Sequence, residues 1–148
     1  MITKFEGRYS FLSNFYAAQT LYEGILYPTS EAAYQAAKTI NPDDRLKILS
    51  ACTPDDAKHL GRHIQIRPDW EEVKDDIMYE IIKNKFKNKG LADKLLKTGD
   101  ELLCEGNYWH DNYWGACECP KCRLLPRRNQ LGKTLMKVRE ELKNGSSR

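Results

Sequence analysis

Two patterns of apolar residues along the chain predict two kinds of secondary structure. Aromatic residues interrupted by glycine indicate short strands over residues 3–27, with a hairpin that turns at Glu23-Gly24. Apolar residues spaced three and four apart, in runs that begin at a capping residue, indicate helices. Helices are expected over residues 29–39, 43–50, 53–61, 69–89, 91–97 and 129–143, short strands at 63–66 and 101–104, and a frayed tail at 145–148. The pattern predicts an α+β fold that is rich in helix and has a small antiparallel sheet.

One polar stretch, EGNYWHDNYWG at residues 105–115, has no apolar periodicity. It holds two carboxylates, two asparagines, a histidine and four aromatic rings, and all of these except Glu105 lie between Gly106 and Gly115. Charged groups among aromatic rings are unexpected in a core element. They suit a pocket that stacks a flat ring and transfers protons. Trp109 and Trp114 are candidates to stack that ring. Trp70 is either a third stacking residue or a core residue of the helix that it begins.

A second polar segment lies on the helix predicted at residues 29–39. Its polar side chains are spaced at i, i+3, i+4 and i+7, so that one face carries Glu31, Tyr34, Gln35 and Lys38. Alanines occupy much of the remaining surface and allow close packing. A solvated face would carry more charge than this mixture of acid, phenol, amide and amine. We expect this face and the loop at 105–115 to fold into a single cleft.

Composition limits the classes of function. The 148 residues suit one domain with a hydrophobic core, and 24 basic against 21 acidic residues give a formal net charge of +3. This mild bias permits a phosphate-bearing ligand without requiring a nucleic-acid surface. The chain has no apolar run that would span a membrane, and its first residues lack an apolar signal core. We therefore expect a cytoplasmic protein with reduced cysteines.

The candidate catalytic groups are acids and one amine. Cleavage of a bond between a sugar carbon and nitrogen passes through an oxocarbenium-like state, which a carboxylate stabilises or for which it activates water. The candidate acids are Glu31, Glu105 and Asp111. Each of them, taken alone, could instead be a surface charge or a helix cap. Lys38 has three interpretations: a solvated amine, a phosphate clamp, or a nucleophile that forms a Schiff base with the ring-opened sugar.

Three cysteines form a C-x-C-x2-C motif at Cys117, Cys119 and Cys122. Zinc takes four ligands, and no second C-x2-C pair exists, so the fourth ligand would be Cys52, Cys104 or His110. Zinc binding is an alternative that the spacing leaves open, and no metal ligand is included among the expected site residues.

Six segments, in order and over nearly the whole chain, resemble the NADAR, or YbiA-like, family. They are YSFLSNF (9–15), YEGILYPTSEAAYQAAK (22–38), TPDDAKHLGR (53–62), RPDWEEVKDDIM (67–78), LLKTGDELLCEGNYWHDNYWG (95–115) and NQLGKTLMKVR (129–139). The resemblance implies one compact α+β domain over residues 1–148 that cleaves N-glycosidic bonds with no metal or organic cofactor. The chain departs from the family at His110, where many members have glycine, and at Ala17, where proline is common.

The resemblance also implies substrates and site residues. One substrate class is ADP-ribose attached to guanine in nucleotide or nucleic acid, which we favour, and the other is the ribosylamine intermediates of riboflavin biosynthesis. The family's polar motif residues fall on Glu31, Gln35, Lys38, Trp70, Glu105, Asn107, Asp111 and Trp114.

The chain is therefore predicted to be an N-glycosidase. The expected catalytic residues are Glu31, Lys38, Glu105 and Asp111, and the expected substrate-binding residues are Tyr34, Gln35, Trp70, Asn107, Trp109 and Trp114. Two alternatives belong to other classes: a module that binds ADP-ribose or NAD without cleaving it, and a zinc-stabilised nucleic-acid interaction domain built on CECPKC.

Overall fold

The computed structural model describes residues 1–145, so most of the expected frayed tail lies outside the described residues. The chain divides into two compact units. Unit 1 consists of Met1–Ser13 and the chain from Phe86 onward, and unit 2 is Asn14–Lys85. The predicted fold class is confirmed, because the chain is helix-rich and has a small antiparallel sheet. That residues 1–148 behave as one domain stays a prediction.

Unit 2 begins with the predicted hairpin. Strands β1 (Ala17–Tyr22) and β2 (Ile25–Thr29) pair antiparallel, and a register shift in β1 marks a bulge. Glu23 and Gly24 both have positive φ, 46° and 83°, as a tight two-residue hairpin turn requires. Helix α1 (Ser30–Ala37) follows without a linker, because Thr29 ends the strand and its side chain accepts a hydrogen bond from the amide of Ala32.

The other helices of unit 2 surround α1. Helices α2 (Pro42–Leu49) and α3 (Pro54–Leu60) each begin with a proline behind a capping side chain, and α2 starts one residue before the predicted Asp43. The long helix α4 spans Trp70–Lys85. Helix α1 packs against both strands and these three helices, and all eight of its residues are buried. Polar side chains on α1 are therefore held in a packed interior.

Unit 1 is built around two helices and a short parallel sheet. Helices α5 (Lys89–Leu96) and α6 (Gln130–Lys143) pack together, and α6 buries Leu131, Leu135 and Val138. Strands β3 (Gly106–Asn107) and β4 (Ala116–Cys117) pair in parallel, and a short 3-10 helix at Cys122–Leu124 follows. The polar stretch at 105–115 therefore includes β3 and ends directly before β4.

Two predicted strands are wrong. Residues 7–12 form a 3-10 helix, because the chain turns at Gly7, where φ is 57°, and makes local hydrogen bonds such as Tyr9 N to Glu6 O at 2.9 Å. Residues 63–66 form no strand with any partner among residues 1–145. Alternation alone was a weak signal there, because a strand needs a neighbour to satisfy its backbone.

Two predicted boundaries are also corrected. The helix expected over 69–89 ends at Lys85, because the Asn88 side chain caps a new helix by accepting from the amide of Leu91 at 3.1 Å. The strand expected at 101–104 is reduced to one parallel bridge between Ile2 and Leu103.

None of the helices within residues 1–145 has both the length and the apolar character needed to cross a membrane. The expected cytoplasmic location stays a prediction.

Candidate active site

The first group of predicted site residues lies in unit 2. We call it the α1 cluster: Glu31, Tyr34 and Gln35 on α1, Lys38 at its C-terminal cap, and Trp70 at the start of α4. Four of these residues are buried, and Lys38 is half-buried. The structure thus brings together the four residues predicted to share a helix face, and it adds Trp70 through the ring of Tyr34, 5.4 Å away between centroids.

Glu31 is held at the N-terminal turn of α1. Its side chain is 7% exposed, and its backbone amide donates to the carbonyl of Asn14 at 2.9 Å. Gln35, one turn later, donates from Nε2 to Glu31 Oε2 at 2.5 Å. This hydrogen bond holds the Glu31 carboxyl group in a fixed direction within a packed interior.

Gln35 has an unsatisfied acceptor and a glycine beside it. Its Oε1 atom is buried and finds no hydrogen-bond partner within residues 1–145, which is costly in a protein interior. A methyl group at Gly61 would overlap Gln35 Oε1 and Cδ. Gly61 ends α3, as predicted, but the sequence pattern gave no sign that it also makes room for this amide.

The amine of Lys38 is perturbed by its surroundings. Burial lowers the pKa of Lys38 below its usual value, Glu31 opposes this effect, and the charges of Arg62 and Lys58 add to it. The Nζ atom lies 5.2 Å from the centroid of the Tyr34 ring. A lowered pKa increases the neutral fraction of the amine, which is the form that attacks a carbonyl carbon.

The second group lies in unit 1, on the residue before β3, on β3 itself and on the loop that leads from β3 to β4. We call it the loop cluster: Glu105, Asn107, Asp111 and Trp114. Asn107 is its centre, 1% exposed, and donates from Nδ2 to Glu105 Oε1 and to the Asp111 carbonyl, both at 2.9 Å. Its Oδ1 accepts from the amide of Asp111 at 3.2 Å. Asn107 therefore orients the Glu105 carboxylate and closes the loop.

Asp111 has a structural task that the sequence did not reveal. Its Oδ1 atom accepts from the backbone amides of Tyr113 at 3.1 Å and Trp114 at 2.9 Å. This pattern is an Asx-type turn, in which a carboxylate fixes the local backbone. The catalytic role expected for Asp111 stays a prediction.

Gly115 closes the loop cluster against Glu105. A methyl group at Gly115 would overlap both Oε1 and the carbonyl oxygen of Glu105 and would lie 2.7 Å from Asn107 Nδ2. Gly115 was predicted only to bracket the loop. The absence of a side chain is what allows the Glu105 carboxylate to occupy its position.

Asn129 is a site-supporting residue that was predicted in a different role. It precedes α6, but its side chain makes no capping hydrogen bond to that helix, and its φ is 50°. Instead, Asn129 donates to the carbonyl of Leu103 at 2.9 Å and accepts from the amide of Glu105 at 3.0 Å. The first amides of α6 are satisfied by loop carbonyls, those of Tyr113 and Trp114.

The aromatic residues of the loop differ in exposure. Tyr108 and Trp109 are 59% and 60% exposed, whereas Trp114 is half-buried and meets the Tyr113 ring edge-on at 4.9 Å. An exposed ring is accessible to a ligand, and Trp109 was predicted to stack one.

The two clusters are each assembled within their own unit. The expectation that they share one cleft stays a prediction. Beside the loop cluster, in unit 1, one further set of side chains has the chemistry to hold a metal ion: His110, Cys117, Cys119 and Cys122.

Comparisons with known proteins agree with the resemblance seen in the sequence. An N-glycosidase of Nostoc punctiforme is 42% identical over 142 residues, which cover 92% of this chain and 87% of that protein. A riboflavin biosynthesis protein of Vibrio vulnificus is 37% identical over 137 residues, which cover 90% of this chain but 36% of that protein.

A solved structure and a family model complete the comparison. The NMR structure of the E. coli protein YbiA matches with a TM-score of 0.82 and 32% sequence identity, and the match covers 99% of this chain and 87% of that one. The model of the NADAR domain matches residues 3–143. By sequence and by fold, the chain belongs to the NADAR family.

Proposed function

We propose that this chain is an N-glycosidase that hydrolyses the bond between a ribose carbon and a nitrogen atom. The observation that carries the proposal is the α1 cluster, where a buried carboxylate, Glu31, and a half-buried amine, Lys38, lie two turns apart on one helix. Removing a carboxylate and an amine from solvent costs stability, so their presence together on this helix supports a chemical role. The N-glycosidase from Nostoc punctiforme, of which this chain covers 87%, supports the same class of reaction.

Glu31 supplies the charge that the reaction requires. As the bond between C1 and nitrogen lengthens, positive charge develops on the sugar ring, and a carboxylate fixed by Gln35 stabilises it. Water then adds to C1 after losing a proton to a carboxylate, and the base departs with a proton. Glu105, fixed by Asn107, is the second carboxylate assigned to this chemistry.

Lys38 offers a covalent variant of the same reaction. A glycosylamine opens to an imine, whose C1 carbon is attacked by the neutral amine, and the nitrogen base leaves as a Schiff base forms between C1 and Nζ. Water hydrolyses that Schiff base, which restores the amine and releases the sugar. The lowered pKa of Lys38 favours this route, because more of the amine is neutral.

The favoured substrate is ADP-ribose joined to guanine. The exposed rings of Tyr108 and Trp109 suit stacking on a base, and the basic residues Arg123, Arg127 and Arg128 are also exposed on unit 1 and suit a diphosphate. The Arg128 guanidinium lies 5.2 Å from the centroid of the Tyr113 ring.

A second candidate substrate is a ribosylamine intermediate of riboflavin biosynthesis. The name of the relative from Vibrio vulnificus favours it, although this chain covers 36% of that protein. Such a substrate lacks the second nucleoside of ADP-ribose and therefore has less use for exposed stacking rings.

The test is incubation of the purified protein with each substrate, followed by chromatography of the released base and sugar. Wild type should release the base from at least one substrate, and Glu31→Gln and Glu105→Gln should each lower kcat by about 100-fold or more. Glu72→Gln, an exposed carboxylate on α4, is the matched control and should retain full activity. If neither substrate releases its base, the proposed enzymatic activity is refuted. Tight binding of intact ADP-ribose, measured by calorimetry, would support a binding module instead.

Borohydride reduction during turnover decides the route. A covalent adduct at Lys38, found by mass spectrometry and lost in Lys38→Met, would support the Schiff base. Lys47→Met, which removes an exposed amine on α2, should not affect the adduct. Turnover without any adduct would assign the reaction to direct attack by water.

A further inference from the structure

Four side chains of unit 1 meet at a point that the proposed reaction does not use. They are His110, Cys117, Cys119 and Cys122, and their ligand atoms all lie within 4.8 Å of one another. They come from three separate pieces of chain: the loop between β3 and β4, the end of β4, and the segment up to the short 3-10 helix. Three thiols and an imidazole at one point are a set of metal ligands.

The three nitrogen–sulfur distances match tetrahedral coordination. The Nδ1 atom of His110 lies 3.3 Å from the sulfur of Cys122 and 3.6 Å from the sulfurs of Cys117 and Cys119. With Zn–S bonds of about 2.3 Å and Zn–N bonds of about 2.0 Å, a tetrahedral site separates nitrogen from each sulfur by about 3.5 Å. The three observed separations therefore suit one ion at the centre of the four atoms.

Hydrogen bonding alone does not explain this convergence. A neutral imidazole nitrogen carries at most one proton, which lies in the ring plane, so Nδ1 serves one sulfur and not three. A disulfide does not explain the convergence either. All three cysteines are free thiols, and a disulfide between two of them would leave the third unexplained. Three sulfurs around one nitrogen are most simply explained by a shared cation.

The backbone is shaped to bring the ligands together. His110 has a φ of 67°, a left-handed conformation that is unfavourable for a residue with a side chain. Such a cost is characteristic of a position where the side chain has a task. Further along, the amide of Cys122 donates to the sulfur of Cys119 at 3.3 Å, which stabilises a thiolate.

The surrounding charges suit a thiolate-rich site. Zinc with three thiolates and one neutral imidazole has a net charge of −1. Arg127 compensates this charge locally, because its guanidinium donates to the carbonyl of Cys117 at 3.2 Å. Lys121 and Arg123, on either side of Cys122, are exposed cations.

We infer that His110, Cys117, Cys119 and Cys122 bind one structural Zn²⁺ ion. Four protein ligands leave no open coordination position, so the ion takes no part in hydrolysis. Its effect is on the loop cluster, since His110 directly precedes Asp111, whose carboxylate fixes the turn that carries Trp114. Zinc ties this loop to the segment after β4 and so supports the position of Glu105 and Asn107.

Metal analysis of the purified chain tests the site without reference to activity. Protein prepared without a polyhistidine tag, reduced and supplied with zinc, should retain one zinc ion per chain after gel filtration. Cobalt in its place should give the intense near-ultraviolet absorption of thiolate ligands and the visible bands of a tetrahedral ion. The inference would be overturned if the protein retained no zinc, or if it retained iron in place of zinc.

Variants separate metal binding from folding. His110→Gly keeps a residue that adopts the left-handed backbone and removes only the ligand, so it should fold but bind zinc at least tenfold more weakly. Cys119→Ser should behave likewise. Cys52→Ser and Cys104→Ser, which change thiols outside the four, should retain one ion. Full retention of zinc in Cys119→Ser would contradict the assignment.

Chelation provides a second readout. A strong chelator should lower the thermal midpoint of wild type by several degrees and that of Cys119→Ser by less, because the variant binds zinc more weakly and gains less stability from it. An equal response of the two proteins would overturn a structural role.

Discussion

Replacement of Gly115 by alanine tests whether the position of Glu105 depends on an empty space. The added methyl group would overlap the Glu105 carboxylate and carbonyl oxygens and would press on the Asn107 amide. The carbonyl cannot retreat freely, because it accepts a hydrogen bond from the amide of Ala116 at 2.9 Å. The Gly115 backbone is not in the left-handed region, so alanine brings no conformational strain of its own.

Two destabilising contributions and one stabilising contribution set the magnitude. Overpacking of a filled site costs about 1–3 kcal/mol. Loss of the 2.9 Å hydrogen bond from Asn107 to the Glu105 carboxylate adds about 1.5–3 kcal/mol. Alanine recovers about 0.4–1 kcal/mol because it restricts the unfolded chain. The expected loss in the free energy of unfolding is therefore about 1.5–5.5 kcal/mol.

Urea unfolding followed by circular dichroism measures this loss, and steady-state kinetics measures the effect on activity. A carboxylate displaced by about 1 Å should lower kcat by about 100-fold. Gly90→Ala is the control, because the nearest atom to its added methyl, Asn88 Oδ1, is 3.4 Å away and the helix gains from alanine. If Gly115→Ala unfolds within about 0.5 kcal/mol of wild type, the packing argument is wrong. If it is unstable yet fully active, Glu105 is not catalytic.

The remaining predictions concern stability. Burial lowers the pKa of Lys85 to about 7, from 10.5 for an unburied lysine. Between pH 7 and pH 10.5 the unfolded chain therefore binds more protons than the folded chain, and the free energy of unfolding increases as the pH rises. Lys85→Met should flatten that rise in urea unfolding at several pH values, whereas Lys87→Met, an exposed lysine, should leave it intact. Gly61→Ala should lower the free energy of unfolding by about 1–3 kcal/mol, and an unchanged midpoint would show that Gln35 moves freely. Asn129→Gly keeps the left-handed backbone and removes two hydrogen bonds, so a loss of about 1–3 kcal/mol is expected from the same measurement.

The α1 cluster could be predicted from sequence because its determinants are local. Thr29 caps the helix directly before it, and the spacing of Glu31, Gln35 and Lys38 alone places them on one face. Helix periodicity needs no knowledge of distant residues. The same holds for the hairpin at Glu23, whose turn residues are adjacent in the chain.

The supporting residues could not be predicted, because their roles depend on distant partners. Asn129 binds Glu105 and Leu103 across more than twenty residues, and from sequence it looks like an ordinary helix cap. Gly61 and Gly115 look like a helix end and a loop boundary, since sequence does not show which side chain fills the space beside a glycine. Spacing likewise left Cys52, Cys104 and His110 as possible fourth ligands, and only the structure places the His110 ring nitrogen within 3.6 Å of the three sulfurs.

The same arrangement occurs once in each unit. Gln35 donates to Glu31 in one, Asn107 donates to Glu105 in the other, and a glycine without room for a methyl group packs against each pair. A carboxylate that serves only solubility needs neither a fixed rotamer nor a close wall, because water solvates it in any direction. In each unit the hydrogen bond from a neutral amide instead holds the carboxylate in one orientation. A carboxylate that is fixed in advance can face a developing positive charge without reorganising, which is how an enzyme stabilises an oxocarbenium-like state. The repeated amide partner is therefore a physical argument for the proposed roles of Glu31 and Glu105.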